Sequence, residues 1–149
     1  MASMDALPPS LLNLTSYLLS KVGKDARRRA GDRLAARDLR FWHMAVLAAL
    51  SDFGPHIQRD LSTRLSIDPS DVAKVVDDLT GAEYVERTRD PADRRRTIIA
   101  LTPAGQVVLA ELLRLEATAA DEDLLAPLNA AERAQLHALL LRVFNHAVS

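Results

Sequence analysis

The stretch YVERTRDPADRRRTIIALTPAG, Tyr84 to Gly105, decides the fold. Two short runs with strand character, Tyr84–Arg89 and Arg96–Leu101, flank a polar tip, Asp90-Pro91-Ala92-Asp93-Arg94-Arg95, in which Pro and Asp favour a turn. The spacing predicts a β-hairpin with a cationic tip. Thr102 and Pro103 follow as an N-cap and a first helical position, so the start of a helix pins the base of the hairpin. A basic finger on a rigid mount is suited to a nucleic-acid groove.

On the N-terminal side of the hairpin, Asp68 and Pro69 open another helix, and Val72, Val75, Val76 and Leu79 form its apolar stripe at i, i+3, i+4 and i+7. Before it, Ile57, Leu61 and Leu65 share one face of a helix over Ile57–Leu65, and Ser66-Ile67 makes the turn between the two. Two short amphipathic helices joined by a tight turn have the outline of a helix-turn-helix. The second helix points Ser70, Asp71, Ala73, Lys74, Asp77 and Asp78 outward. Ser bonds to several base edges, Asp accepts from cytosine, and Lys serves guanine or a phosphate. Asp71 equally suits the positive end of the helix dipole. Asp77 and Asp78 would repel phosphates and are expected in salt bridges. Upstream again, LRFWHMAVLAALSD, Leu39–Asp52, is strongly apolar and too short for a membrane span, which makes it the central core helix, ended by Phe53-Gly54-Pro55.

The flanks carry more apolar surface than such a core needs. Residues 1–9 are expected to be loosely held. From Ser10, the residues Leu11, Leu14, Leu18 and Val22 mark one helical face, and Leu12, Tyr17 and Leu19 widen it. Lys24 to Arg40 reads as further helix, interrupted near Gly31-Asp32, with its charges on a solvated face. Beyond the hairpin, Val107, Val108, Leu112, Leu113 and Leu115 continue a long helix that runs out near Asp121-Glu122-Asp123, carboxylates without the spacing of a calcium loop. Pro127 breaks the chain, Asn129 with Glu132 forms a capping box, and Leu136, Leu139, Leu140, Val143 and Phe144 stripe a last helix. Excess apolar surface at both ends predicts a second subunit.

Bulk properties narrow the class. A chain of 149 residues that is 48% hydrophobic suits one domain with a real core. Without cysteine it has no disulfide, thiolate metal site or thiol sensor. The net charge of −1 hides a strong asymmetry: residues 21–40 hold eight Lys/Arg against three Asp, 84–97 five Arg against three acids, and 103–149 three Arg against six acids. Such a molecule presents a positive face to phosphates despite its total charge. No apolar run has membrane-spanning length and no leader pattern opens the chain, so a cytoplasmic protein with no membrane partner is expected.

The segment GPHIQRDLSTRLSIDPSDVAKVVDDLTGAEYVERTRDPADRRRTIIALTPAG resembles the core of the MarR family of bacterial winged helix-turn-helix transcription regulators, most specifically at Arg87, Asp90-Pro91, Asp93-Arg94-Arg95, Leu101-Thr102 and Gly105. The resemblance implies a mainly α fold with a small β-hairpin wing: an N-terminal dimerisation segment over 10–38, a winged helix-turn-helix over 39–101, and C-terminal dimerisation helices over 102–149. It further implies a homodimeric, ligand-responsive repressor that places its recognition helices in successive major grooves of a palindromic DNA operator. By the same resemblance Arg95 enters the minor groove and Asp93 holds it, while Arg94 and Arg96 meet phosphates. Family members bind small aromatic or phenolic anions between the dimerisation helices and the DNA-binding domain. Here Tyr17, Arg40, Phe41, Trp42, His43, Met44 and His56 are the candidates for such an effector pocket, with core packing the competing role for Trp42, His43 and Met44. One departure is Glu83, which stands where the family usually has Gly; a rearranged junction, relieved by Gly81, is expected there. No catalytic motif, resident cofactor or metal site is expected. The alternatives are an architectural or protein-interaction module, or a zinc-responsive regulator using His and carboxylates.

Overall fold

The computed structural model describes residues 6–149. Contacts divide the chain into two units, Met1–Leu39 and Arg40–Ser149. Of the expectation for residues 1–9, the part covering 1–5 lies outside the described residues.

The first unit is helical. Pro9 opens a single turn, α1 (Pro9–Leu12), in the first-turn position where its missing N–H costs nothing. The Asn13 N–H bonds back to the Pro9 carbonyl, and extended Leu14 starts α2 (Thr15–Ala35). The break expected near Gly31-Asp32 is absent: α2 runs through both residues. A mid-helix glycine costs only about 1 kcal/mol relative to Ala, and ion pairs at helical spacing support the stretch, Asp25 to Arg28 and Arg29 before it and Arg28 to Asp32 across it. The interruptions fall instead at Asn13-Leu14 and beyond Ala36, where Asp38 takes a left-handed backbone at φ 56°. Leu12, Leu14, Leu18, Leu19 and Val22 are all exposed.

The second unit is built around α3 (Phe41–Phe53), which buries Val46, Leu47, Ala49 and Leu50. Next come α4 (Gln58–Leu65) and α5 (Pro69–Gly81). The α4–α5 turn is closed by left-handed Ser66 at φ 53° and by the Ser62 hydroxyl, which donates to the Ile67 carbonyl at 2.5 Å. Asp68 caps α5 as expected, accepting from the Ser70 N–H at 2.9 Å. All four stripe residues, Val72, Val75, Val76 and Leu79, are buried.

The hairpin consists of β1 (Val85–Arg89) and β2 (Thr97–Leu101), antiparallel, with Val85 opposite Leu101 and Arg89 opposite Thr97. Tyr84 and Arg96, expected in the strands, fall just outside them. A third segment pairs at one residue only: His56 and Ile99 exchange both backbone bonds, at 3.0 and 2.7 Å. Val85 and Ile99 point inward and are buried. Then Thr102 caps α6 (Pro103–Ala119) by accepting from the Gly105 N–H, while its own hydroxyl donates to the Glu83 carbonyl at 2.6 Å. Hairpin base and helix start are thereby one hydrogen-bonded joint. Gly105 is obligatory in it, since a Cβ there would lie 2.0 Å from the Tyr84 carbonyl oxygen. Glu83 itself adopts the left-handed backbone, at φ 64°, whereas Gly81 remains in α5. The expected relief through Gly81 does not occur because the chain must reverse two residues later.

Past α6 the helix widens into one π turn, Ala120–Leu124, carrying the three carboxylates. The expected capping box then opens α7 (Ala130–Ala147), with Asn129 and Glu132 bonding each other's backbone N–H groups at 2.9 Å. No residue of α7 is buried; Leu139, Leu140, Val143 and Phe144 all face outward from the unit.

Candidate nucleic-acid interface

α5 offers a polar surface at its N-terminal end. Ser70 caps locally, its hydroxyl donating to Asp68 at 2.6 Å, which leaves its lone pairs available as acceptors. The two hydrogen bonds from Ser70, side chain first and then backbone, hold the Asp68 carboxyl below the usual carboxylate range. Asp71 and Ala73 are half-exposed, and Lys74 is exposed with no side-chain partner among the described residues. Toward the other end, the two aspartates expected to repel phosphates are both engaged. Asp77 accepts from Arg87 of β1, and Asp78 from the Nε2 of His43, at 3.0 Å. Arg87 therefore fastens the hairpin to α5, with its side chain about one-third exposed.

The hairpin tip is organised by side chain to backbone bonds. Asp90 accepts from the Ala92 N–H at 2.9 Å and Asp93 from the Arg95 N–H at 3.1 Å, each an Asx turn that sets the tip's shape. Arg89, absent from the candidate residues, spans the hairpin to donate to the Arg94 carbonyl at 2.9 Å. Arg95 also places its Nε 3.3 Å from Asp93, and Arg96 its Nε 3.9 Å from the other Asp93 oxygen. The Arg95 side chain is 93% exposed. One carboxylate thus aims a guanidinium that is otherwise bare into solvent, with Arg94 and Arg96 exposed on either side.

Within the second unit the effector candidates do not gather into one constellation. His43 and His56 lie at opposite ends of α3, a helix of 13 residues and about 20 Å. Each ring is committed locally. The His43 Nδ1 accepts from the Arg40 N–H at 2.9 Å, so its proton sits on Nε2 and is donated to Asp78. The His56 Nδ1 faces the Gly54 carbonyl at 2.6 Å and donates to it, while its Nε2 accepts from the Arg64 Nε at 3.0 Å. Both are buried histidines whose ring nitrogens are satisfied by these partners. Phe41 and Met44 are half-buried on α3; Trp42 stays 43% exposed and Arg40 exposed at its start. Tyr17 belongs to the first unit, where Lys21 lies over its ring. Among the described residues no three metal-ligating side chains converge, which leaves the zinc alternative without a ligand set there.

A family model described as "MarR family" matches residues 37–96, the span from before α3 to the hairpin tip. Over that span the chain is similar to the MarR family. Over 144 residues it is 27% identical to the HTH-type transcriptional repressor NicR of Pseudomonas putida, covering 97% of this chain and 90% of that protein. Wild-type MarR of E. coli shares the fold, with a TM-score of 0.76 at 24% identity, covering 93% of this chain and 98% of that one. BpsR of Bordetella bronchiseptica, whose DNA binding is regulated by 6-hydroxynicotinic acid, matches with a TM-score of 0.66 at 26% identity over 88% of this chain and 93% of its own. The chain has the winged helix fold of these regulators. No helix among the described residues is long and apolar enough to cross a membrane.

Proposed function

We propose that the chain is a repressor that binds a palindromic operator as a homodimer, with α5 in the major groove and the hairpin tip in the minor groove. The observation that carries this reading is the Arg95 guanidinium, aimed outward by Asp93 at the end of a rigid hairpin. A narrow, A·T-rich minor groove concentrates negative potential, and a positioned guanidinium reads that shape. On α5, Ser70, Asp71, Ala73 and Lys74 face the base edges, Ala73 supplying an apolar contact suited to a thymine methyl group. Arg94 and Arg96 meet phosphates. Arg87 positions the wing through Asp77 and leaves that aspartate's charge neutralised near the DNA. The exposed apolar faces of α2 and α7 join the two subunits. Arg95→Ala, titrated with operator DNA over a salt series, is expected to weaken binding by about 1–3 kcal/mol; unchanged affinity removes the wing from the mechanism.

Release is assigned to a small aromatic carboxylate, the chemistry of the effector that regulates BpsR. Of the expected residues, Arg40 and Trp42 keep accessible side chains near the start of α3, where an arginine and an indole suit an anionic ring. Trp42 is the sole tryptophan, so its fluorescence reports binding directly. A panel of hydroxylated aromatic acids is expected to change that emission and lower operator affinity together; emission and affinity unmoved by every member end the assignment.

A further inference from the structure

We propose that a cleft at the root of the hairpin, separate from Arg40 and Trp42, binds a small amphipathic zwitterion: an amino-acid-like molecule with an apolar side chain. The cleft lies between the end of α3, α4 and the hairpin and encloses about 750 Å³, within the size range of small-molecule sites.

Its chemistry centres on Arg64. The guanidinium lies 3.9 Å from the centroid of the Phe53 ring, itself 61% exposed, and the Nε is tethered to His56. His56 is held in turn by the Gly54 carbonyl and by its backbone pairing with Ile99. Stacked and tethered in this way, the guanidinium is pre-organised, and its two terminal nitrogens have no partner among the described residues. Asp60 stands one helical turn earlier on α4, a spacing at which opposite charges ordinarily pair. Arg64 is drawn away to Phe53 and His56 instead, and the Asp60 carboxylate has no partner among the described residues. Asp90, on the hairpin wall, keeps one oxygen on the Ala92 N–H.

Those charges select the ligand. The three charges sum to −1, so a simple anion meets two carboxylates for one guanidinium, while a simple cation pairs with a carboxylate and leaves the guanidinium unmatched. A molecule with a carboxylate for Arg64 and an ammonium for Asp60 satisfies both, and half-buried Ile57 and Ile98 accept an apolar side chain. Because Asp90 and Ile98 belong to the hairpin, occupation braces its root and alters the operator affinity of the tip. That regulatory half rests on the DNA-binding role proposed above; the binding itself does not.

The test uses full-length labelled protein without DNA, titrated with L-phenylalanine and, in parallel, with phenethylamine and hydrocinnamate, which each carry one of its charges. Saturable shifts of the backbone amides of Phe53, His56, Arg64, Asp90 and Ile98 are expected. Both analogues, and L-phenylalanine with Asp60→Asn or Arg64→Met, are expected to bind about tenfold more weakly or worse, the loss for one charge-assisted hydrogen bond. Asp60→Asn is isosteric and exposed, so it tests the site without unfolding it. No saturable shift at millimolar L-phenylalanine, an equal response to the analogues, or unchanged affinity in both variants overturns the proposal. Failure of the DNA-binding role would appear separately, as no operator binding by the unliganded protein.

Discussion

A methyl group at position 105 would stand 2.0 Å from the Tyr84 carbonyl oxygen, with Leu101 and the Tyr84 carbonyl carbon also inside contact distance. Backbone cannot yield as a flexible side chain does, so Gly105→Ala must push α6 off the hairpin. A loss of about 3 kcal/mol in unfolding free energy is expected in denaturant titration. Two residues before Tyr84's neighbour Val85, Glu83 has the opposite problem, a side chain where the backbone is left-handed at φ 64°. Its carbonyl, not its side chain, receives the Thr102 hydroxyl. Glu83→Gly is therefore expected to stabilise the protein by roughly 0.5–1 kcal/mol, the left-handed strain relieved less the chain entropy of glycine. A lower melting temperature for this variant would show that the glutamate side chain contributes something its geometry does not reveal.

Among the elements, α5 and the hairpin act as a pair, and their termini carry testable charges. The Asp68 carboxyl is held below its ordinary range by Ser70. A depressed folded-state pKa contributes stability that is fully present above the unfolded value of about 3.9 and is lost as pH falls through the folded one. Asp68→Ala is thus expected to lower the melting temperature at neutral pH, with the gap to wild type narrowing below about pH 4. At the hairpin tip, Asp93→Ala leaves Arg95 charged but unaimed. Its operator affinity is expected to fall less than that of Arg95→Ala while the salt dependence is retained, because the count of cations near phosphates is unchanged.

At the scale of the whole molecule, the apolar stripes outside the core are the proposed dimer surface. α7 buries none of its residues within its own unit, yet shows Leu139, Leu140, Val143 and Phe144 to solvent. In the proposed homodimer these positions would supply the hydrophobic contact that a small winged unit lacks. Replacing Leu140 and Phe144 together by Asp is expected to give a monomer in sedimentation analysis. Operator affinity is expected to drop steeply with it, since two recognition helices no longer bind as one linked pair. A variant that remains dimeric would move the interface elsewhere.

Local rules were enough to read most of the elements. Asp68-Pro69, Thr102-Pro103 and Asn129 with Glu132 are caps whose chemistry lies within one helical turn, and the structure keeps all three. The valine stripe of α5 and the turn residues of the hairpin tip are equally local. Pairings between residues distant in the chain were decided by tertiary structure alone. His43 meets Asp78 across 35 positions, Arg87 turns to Asp77, and Arg64 leaves Asp60 for Phe53 and His56. Each choice depends on which helix faces which, a consequence of core packing that no spacing along the chain encodes. The same reason separates His43 from His56: the resemblance offered both to one pocket, and the length of α3 holds them apart.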